Sequence, residues 1–171
     1  MSFDQEQSDK YCIFRCSGET FCLPALSVRH VVPQVEVTPI PMSTKTLVGM
    51  VKIQQELMTL FSLEQIYDFS QRSTAEHQKI LVLNRDTGPW GLLIDEVETL
   101  AELEISICPQ SSVNDRPNYV IGSATYKDEF VTVIDPENLY SVLTGQLHEY
   151  WAEQSHRLES EDTDQLVATS S

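Results

Sequence analysis

Positive charge is what this sequence has least of. Lys and Arg together number 11 against 26 Asp and Glu, so the 171-residue chain carries a formal net charge of −15. Such a balance leaves no face able to displace counterions, which argues against nucleic acid and anionic membrane surfaces as partners. Long apolar runs are missing too: no stretch approaches the ~20 residues of a membrane span, so no membrane insertion is expected. The opening residues MSFDQEQSD are acidic and polar. That is the reverse of a secretion signal's basic and then apolar order, and it points to a cytoplasmic location.

Cysteine and glycine are sparse, and their placing excludes several chemistries. Cys12, Cys16, Cys22 and Cys108 form no C-x-x-C pair, and without a secretion signal no disulfide framework is expected. The 12/16/22 spacing does not match a zinc knuckle, and the thiols read better as small buried hydrophobes. The six glycines are scattered, with no phosphate-cradling G-x-x-x-x-G-K or G-x-G-x-x-G, and neither G-x-S-x-G nor H-E-x-x-H occurs. Asp95 and Glu96 are adjacent, so on a strand they face opposite ways and cannot share a proton-transfer task. The run Asp95, Glu96, Glu98, Glu102, Glu104 lacks the alternation and Gly of a calcium loop and reads as a solvated edge. His30 lies in an apolar segment without an acidic neighbour, which suits a structural or interface role. The sequence predicts no catalytic residue, no metal site and no cofactor.

What is present is a series of short apolar bursts separated by turn chemistry. Residues 11–16 and 20–23 read as strands around a turn at 17–19, and Pro33, Pro39 and Pro41 frame an extended stretch holding Val35 and Val37. Runs at 47–53 and 57–61 precede a short amphipathic helix near 63–69. Residues 71–78 are polar and read as an exposed connector, after which the strand pattern restarts at 79–84 and 90–97, with a turn at 85–88. A hairpin at 120–126 and 130–134 turns around Lys127, Asp128 and Glu129. Closely spaced strands with few helices predict a mainly β fold of two small barrels, about 10–70 and about 79–143, together spanning 10–145. Residues 1–9 and the acidic, Ser/Thr-rich 159–171 are expected to be disordered.

The last element reads as helical. Asp135 is placed to cap, Pro136 suits the first helical position, and Leu139, Leu143, Leu147, Tyr150 and Trp151 recur at helical spacing. This predicts a helix to about residue 155 within a C-terminal extension at 146–171. Tyr150 and Trp151 need a surface, either a barrel of the same chain or a partner.

Several motifs, taken in order, resemble the CheW family of chemotaxis adaptors over roughly residues 11–143. Trp90-Gly91-Leu92-Leu93-Ile94-Asp95-Glu96-Val97 is similar to the family's h-G-h-h-V-D-x-V. Ile107-Cys108-Pro109 is similar to its I-x-P, and Ile121-Gly122 opens the hairpin that ends at Val133-Ile134-Asp135. In the first half, Val28-Arg29-His30-Val31, Ile40-Pro41 and Gly49-Met50-Val51-Lys52-Ile53-Gln54-Gln55 stand where the family has V-x-E-V, I-P and G-h-h-N-L-R-G. The family's Glu is His30 here, its Arg is Gln54 and its turn Gly is Gln55. Thr59 and Ser62 replace the Pro and Asp of its h-h-P-h-h-D-L.

The resemblance implies two SH3-like five-stranded barrels and a non-enzymatic adaptor. Its implied partners are the regulatory domain of a CheA-type histidine kinase and a chemoreceptor signalling tip, at receptor arrays near the inner membrane. The surface carried over comprises Val28, His30, Val31, Val35, Gly49, Lys52, Gln54 and Gln55, with Tyr150 and Trp151 added from the helix. Loss of the Arg removes a bidentate carboxylate contact. That leaves open a divergent scaffold with another partner, in a type IV pilus or polar-localisation system. A small-molecule or metal-binding barrel sensor using Cys12, Cys16, Cys22 and His30 is a third reading.

Overall fold

The computed structural model describes residues 10–41, 44–66, 78–107 and 117–169, with side chains to 159. In chain order it places β1 (Lys10–Cys16), β2 (Glu19–Pro24), a 3-10 turn (Ala25–Ser27), β3 (Val28–Pro33), β4 (Leu47–Ile53) and β5 (Glu56–Ser62). A one-turn helix, α1 (Leu63–Ile66), precedes β6 (Lys79–Leu83), β7 (Trp90–Ile94) and β8 (Glu96–Glu102). Then come β9 (Ser106–Ile107), β10 (Val120–Tyr126), β11 (Glu129–Ile134) and the long helix α2 (Pro136–Thr169).

Three hairpins turn in two residues each: Ser17 with Gly18, Gln54 with Gln55, and Lys127 with Asp128. All six residues have positive φ, from 48° to 82°. This is type I′ turn geometry, whose twist matches that of the flanking strands. Five of the six carry a Cβ and pay for the left-handed region. Gln55→Gly should therefore stabilise the chain by about 1 kcal/mol and raise Tm by roughly 2–4 °C, measurable by thermal unfolding.

The strands form a six-stranded sheet, β8-β1-β2-β11-β10-β9, and a five-stranded sheet, β3-β6-β7-β5-β4. Both follow one plan. In the smaller, β3 pairs antiparallel with β6 and β5 runs parallel to β7. In the larger, β8 pairs antiparallel with β1 and β11 runs parallel to β2. The N-terminal hairpin β1–β2 thus fills in the larger sheet the place that β6–β7 fills in the smaller.

Two expectations are corrected by this pairing. The chain is mainly β with two sheets, as expected, but neither sheet closes into a five-stranded barrel. They also do not divide the chain at 71–78: Lys79 opens a strand inside the smaller sheet, which runs from Val28 to Ile94, and the larger takes both flanks. Of the predicted connector only Gln78 is described, half-buried, and 71–77 lie outside the described residues. The predicted strand 90–97 is broken at Asp95, where the chain passes from one sheet to the other. The Asp95 carboxylate accepts the Ser17 N–H at 2.8 Å, and its own N–H donates to the Arg15 carbonyl at 3.0 Å. Predicted helix residues 63–69 are helical over Leu63–Ile66, with the rest outside the described residues.

The central strands are buried on both faces, so alternate residues enter different cores. Each sheet has its own apolar centre: Val51, Ile53, Met58, Leu60, Ile80 and Val82 in the smaller, Ile13, Cys22, Val131 and Val133 in the larger. Their opposite faces meet in a shared core containing Phe14, Leu23, Phe61, Leu81, Trp90 and Leu92. Helix α2 covers one side of this core with Leu139, Leu143 and Leu147. Asp135 caps it as predicted, its Oδ1 accepting the Glu137 N–H at 3.0 Å and the Asn138 N–H at 3.4 Å. Arg85 clamps the same end, with its guanidinium 4.0 Å from the Tyr140 ring centroid and 3.5 Å from Glu137. The helix runs to Thr169, past the predicted end near 155 and through a segment expected to be disordered. Once three leucines have nucleated it, each further residue adds a hydrogen bond at small entropic cost.

Candidate partner-binding surface

The strand β3 is an edge of the smaller sheet, and its side chains alternate. Val28, His30 and Val32 are half-buried, while Arg29, Val31 and Pro33 face out. Beyond Pro33 the chain stays extended and crosses to the opposite edge, where Thr38 and Met50 exchange backbone hydrogen bonds of 2.9 and 2.8 Å. This crossing rests on Gly49, whose φ is +154° and whose position would drive a Cβ into the Thr38 carbonyl oxygen. Gly122 serves the same purpose in the larger sheet, under Ser106.

The crossing leaves a shallow groove of about 480 Å³ between the extended segment and the β4–β5 hairpin, lined by Val35, Glu36, Thr38, Met50, Lys52 and Leu57 among others. A second depression of about 420 Å³ adjoins it at Val35 and reaches Lys79. Leu57 is 65% exposed and Val35 37%, so the groove presents apolar side chains to solvent with lysines at its rim. Arg29 braces the hairpin tip by donating to Glu56 at 2.9 Å and to the Asn84 side chain at 2.9 Å.

Of the predicted surface residues, Val35 and Lys52 line this groove, and Gln54 and Gln55 form the exposed hairpin tip beside it. Val31 is exposed on β3. Val28 packs on the shared core and Gly49 is buried, so both shape the surface from below. The Nε2 atom of His30 is buried and has no hydrogen-bond partner among the described residues. Tyr150 and Trp151 stand apart on α2, the first half-buried and the second exposed.

Leu57 was not singled out from the sequence, although its signal was there. A two-residue turn at 54–55 places Leu57 opposite Lys52, on the face that alternates with buried Met58 and Leu60. The equivalent position in the larger sheet is Phe130, opposite Thr125 and 67% exposed. The acidic run lies where a solvated edge was expected, with Glu96, Glu98, Glu102 and Glu104 exposed on or just after edge strand β8. Charge on an edge strand discourages pairing with another copy. Arg15 neutralises part of it, bonding Glu98 at 3.3 Å and Glu129 at 2.8 Å.

The residues of the sensor reading are not brought together. Cys12 and Cys16 lie in the shared core, Cys22 in the larger sheet's own centre, and His30 on the smaller sheet. Among the described residues no three His, Cys, Asp or Glu side chains converge to hold a metal. Burial pushes the thiols of Cys12 up to about 11 and of Cys16 and Cys22 up to about 12, so near neutral pH they are protonated and poor nucleophiles. Peptide mapping after iodoacetamide treatment at pH 8 should find these three alkylated only in denaturant. The thiols ionise in the unfolded chain near 9 and stay protonated in the fold to about 11–12. Their contribution to stability is therefore complete below pH 9 and is lost as pH rises through that window.

A family model described as the CheW-like domain matches residues 10–143. Among solved structures, the fold is similar to the scaffolding protein TtCheW from Thermoanaerobacter tengcongensis, with a TM-score of 0.66 and 20% identity over 75% of this chain and 85% of that one. No curated protein matches the sequence. No helix among the described residues is long and apolar enough to cross a membrane.

Proposed function

The chain belongs to the CheW-like domain family, and from that premise we propose that it is a non-enzymatic adaptor joining a CheA-type kinase regulatory domain to a chemoreceptor signalling tip. The family match over 10–143 carries the reading; members of this family are scaffolds, and the two-sheet fold is theirs. The partner surface is the groove of the smaller sheet, with Val35, Lys52 and Leu57, the hairpin tip at Gln54 and Gln55, and Val31 exposed on edge strand β3. Apolar side chains flanked by polar ones, beside an open strand edge, fit a partner held by packing and edge contacts. In the cell the chain would be cytoplasmic, at receptor arrays.

Calorimetric titration of the full chain against each partner, taken from the same genome, tests this. Binding is expected, and Leu57→Glu should weaken one of the two interactions at least about tenfold, because it places a charge in an apolar contact. No binding to either partner overturns the coupling role. One observation supports a second scaffold reading. The β4–β5 turn keeps its positive-φ geometry at Gln54 and Gln55, yet presents amides where the family presents a guanidinium. If Gln54→Arg with Gln55→Gly leaves the kinase and receptor affinities unchanged, the surface serves a different partner, such as a pilus or polar-localisation system.

A further inference from the structure

The helix α2 continues beyond what the domain needs. The family match ends at residue 143, and Leu147 is the last fully buried side chain on the helix among the described residues. From His148 to Thr169 the helix extends a further ~33 Å at 1.5 Å per residue. Along this arm Tyr150 and Gln154 are half-buried, while Trp151 and Leu158 are 39% and 54% exposed. Leu147, Trp151, Gln154 and Leu158 follow one another at spacings of four, three and four, which keeps them on one stripe of an α-helix. The His148 ring lies tilted against that of Trp151, ring centroids 6.0 Å apart.

The rest of the arm is nearly all of one sign. Glu149, Glu153, Glu159, Glu161, Asp162 and Asp164 are opposed by Arg157 alone. A second copy of a chain with a net charge of −15 is a poor occupant for such a stripe, since every approach brings like charges together. An anionic bilayer is excluded for the same reason. We propose that residues 148–169 are a docking arm that lays the Trp151–Leu158 stripe into an apolar helical groove edged by Lys or Arg on a partner protein. This is helix-in-groove recognition, with Trp151 as the anchor and the acidic flanks setting orientation.

The test uses the full chain and a labelled synthetic helical peptide with a leucine seam flanked by lysines, against its glutamate-flanked counterpart, both read by fluorescence anisotropy. The lysine peptide should bind and the glutamate peptide should not. Trp151→Ala with Leu158→Ala should weaken binding at least about tenfold, and Glu149→Lys with Glu153→Lys should do likewise. Binding that survives loss of Trp151 and Leu158 is charge attraction alone and overturns the proposal, as does binding of neither peptide. Sedimentation showing that copies of the chain associate through these two side chains would overturn it in favour of self-pairing. None of these outcomes depends on the kinase or receptor, so the arm stands or falls apart from the adaptor reading.

Discussion

Gly49→Ala and Gly122→Ala should each destabilise the chain by about 2–4 kcal/mol, lowering Tm by roughly 5–15 °C. At both positions a Cβ would run into a backbone carbonyl oxygen, that of Thr38 and that of Ser106. Backbone cannot step aside as the end of a flexible side chain can. Gly49 has a second penalty, because its φ of +154° is one that residues with a Cβ rarely adopt. The two glycines occupy matching places in the two sheets, each beside a register shift, at Leu47/Gly49 and at Val120/Gly122. The same substitution at Gly145 has the opposite sign. Nothing lies within 4 Å of a Cβ there, the position is exposed and helical, and Ala should add about 1 kcal/mol. Thermal unfolding of the three variants in one buffer checks both directions. A Gly49→Ala protein melting with the parent would mean that the segment around Thr38 is free to lift off β4, and with it one wall of the groove.

Much of the local structure was legible in the sequence, and the reason is that it is local. Alternation and turn residues located the three hairpins within a residue or two, and Asp135-Pro136-Glu137 marked the start of α2. Which strands share a sheet was not legible. The residues that pair β1 with β8, such as Phe14 with Val97, lie about eighty positions apart and carry no mark of each other. A polar stretch at 71–78 therefore looked like a boundary between domains, when β6 and β7 on its far side complete a sheet begun at Val28. The site shows the same limit. Lys52, Gln54 and Gln55 were legible as candidates only through the family resemblance. The groove between them and Val35 was not, because it exists only where the chain after Pro33 crosses to β4. Gly49, buried beside that crossing, admits the Thr38 backbone because it has no Cβ.

Truncation after Thr144 should cost about 2–4 kcal/mol, a fall in Tm of roughly 5–15 °C, whereas truncation after Ser155 should stay within about 0.5 kcal/mol of the parent. The difference lies in the turn that carries Leu147. Leu139, Leu143 and Leu147 are 0%, 1% and 5% exposed and descend the same stripe onto the shared core. Cutting after Thr144 removes Leu147 outright. It also removes the amides that would bond the carbonyls of the turn holding Leu143, so that turn frays as well. Cutting after Ser155 keeps Leu147 and two further turns beyond it. Trp90 gives a second readout, since it lies under the helix with its ring centroid 5.2 Å from that of Tyr140 and 6.1 Å from that of Phe61. Its near-ultraviolet dichroism should weaken in the shorter truncation and persist in the longer. Leu147→Ala in the full chain should reproduce most of the loss. If the Thr144 truncation melts with the parent and leaves the Trp90 signal unchanged, helix docking ends at Leu143, and Leu147 belongs to the arm instead of the domain.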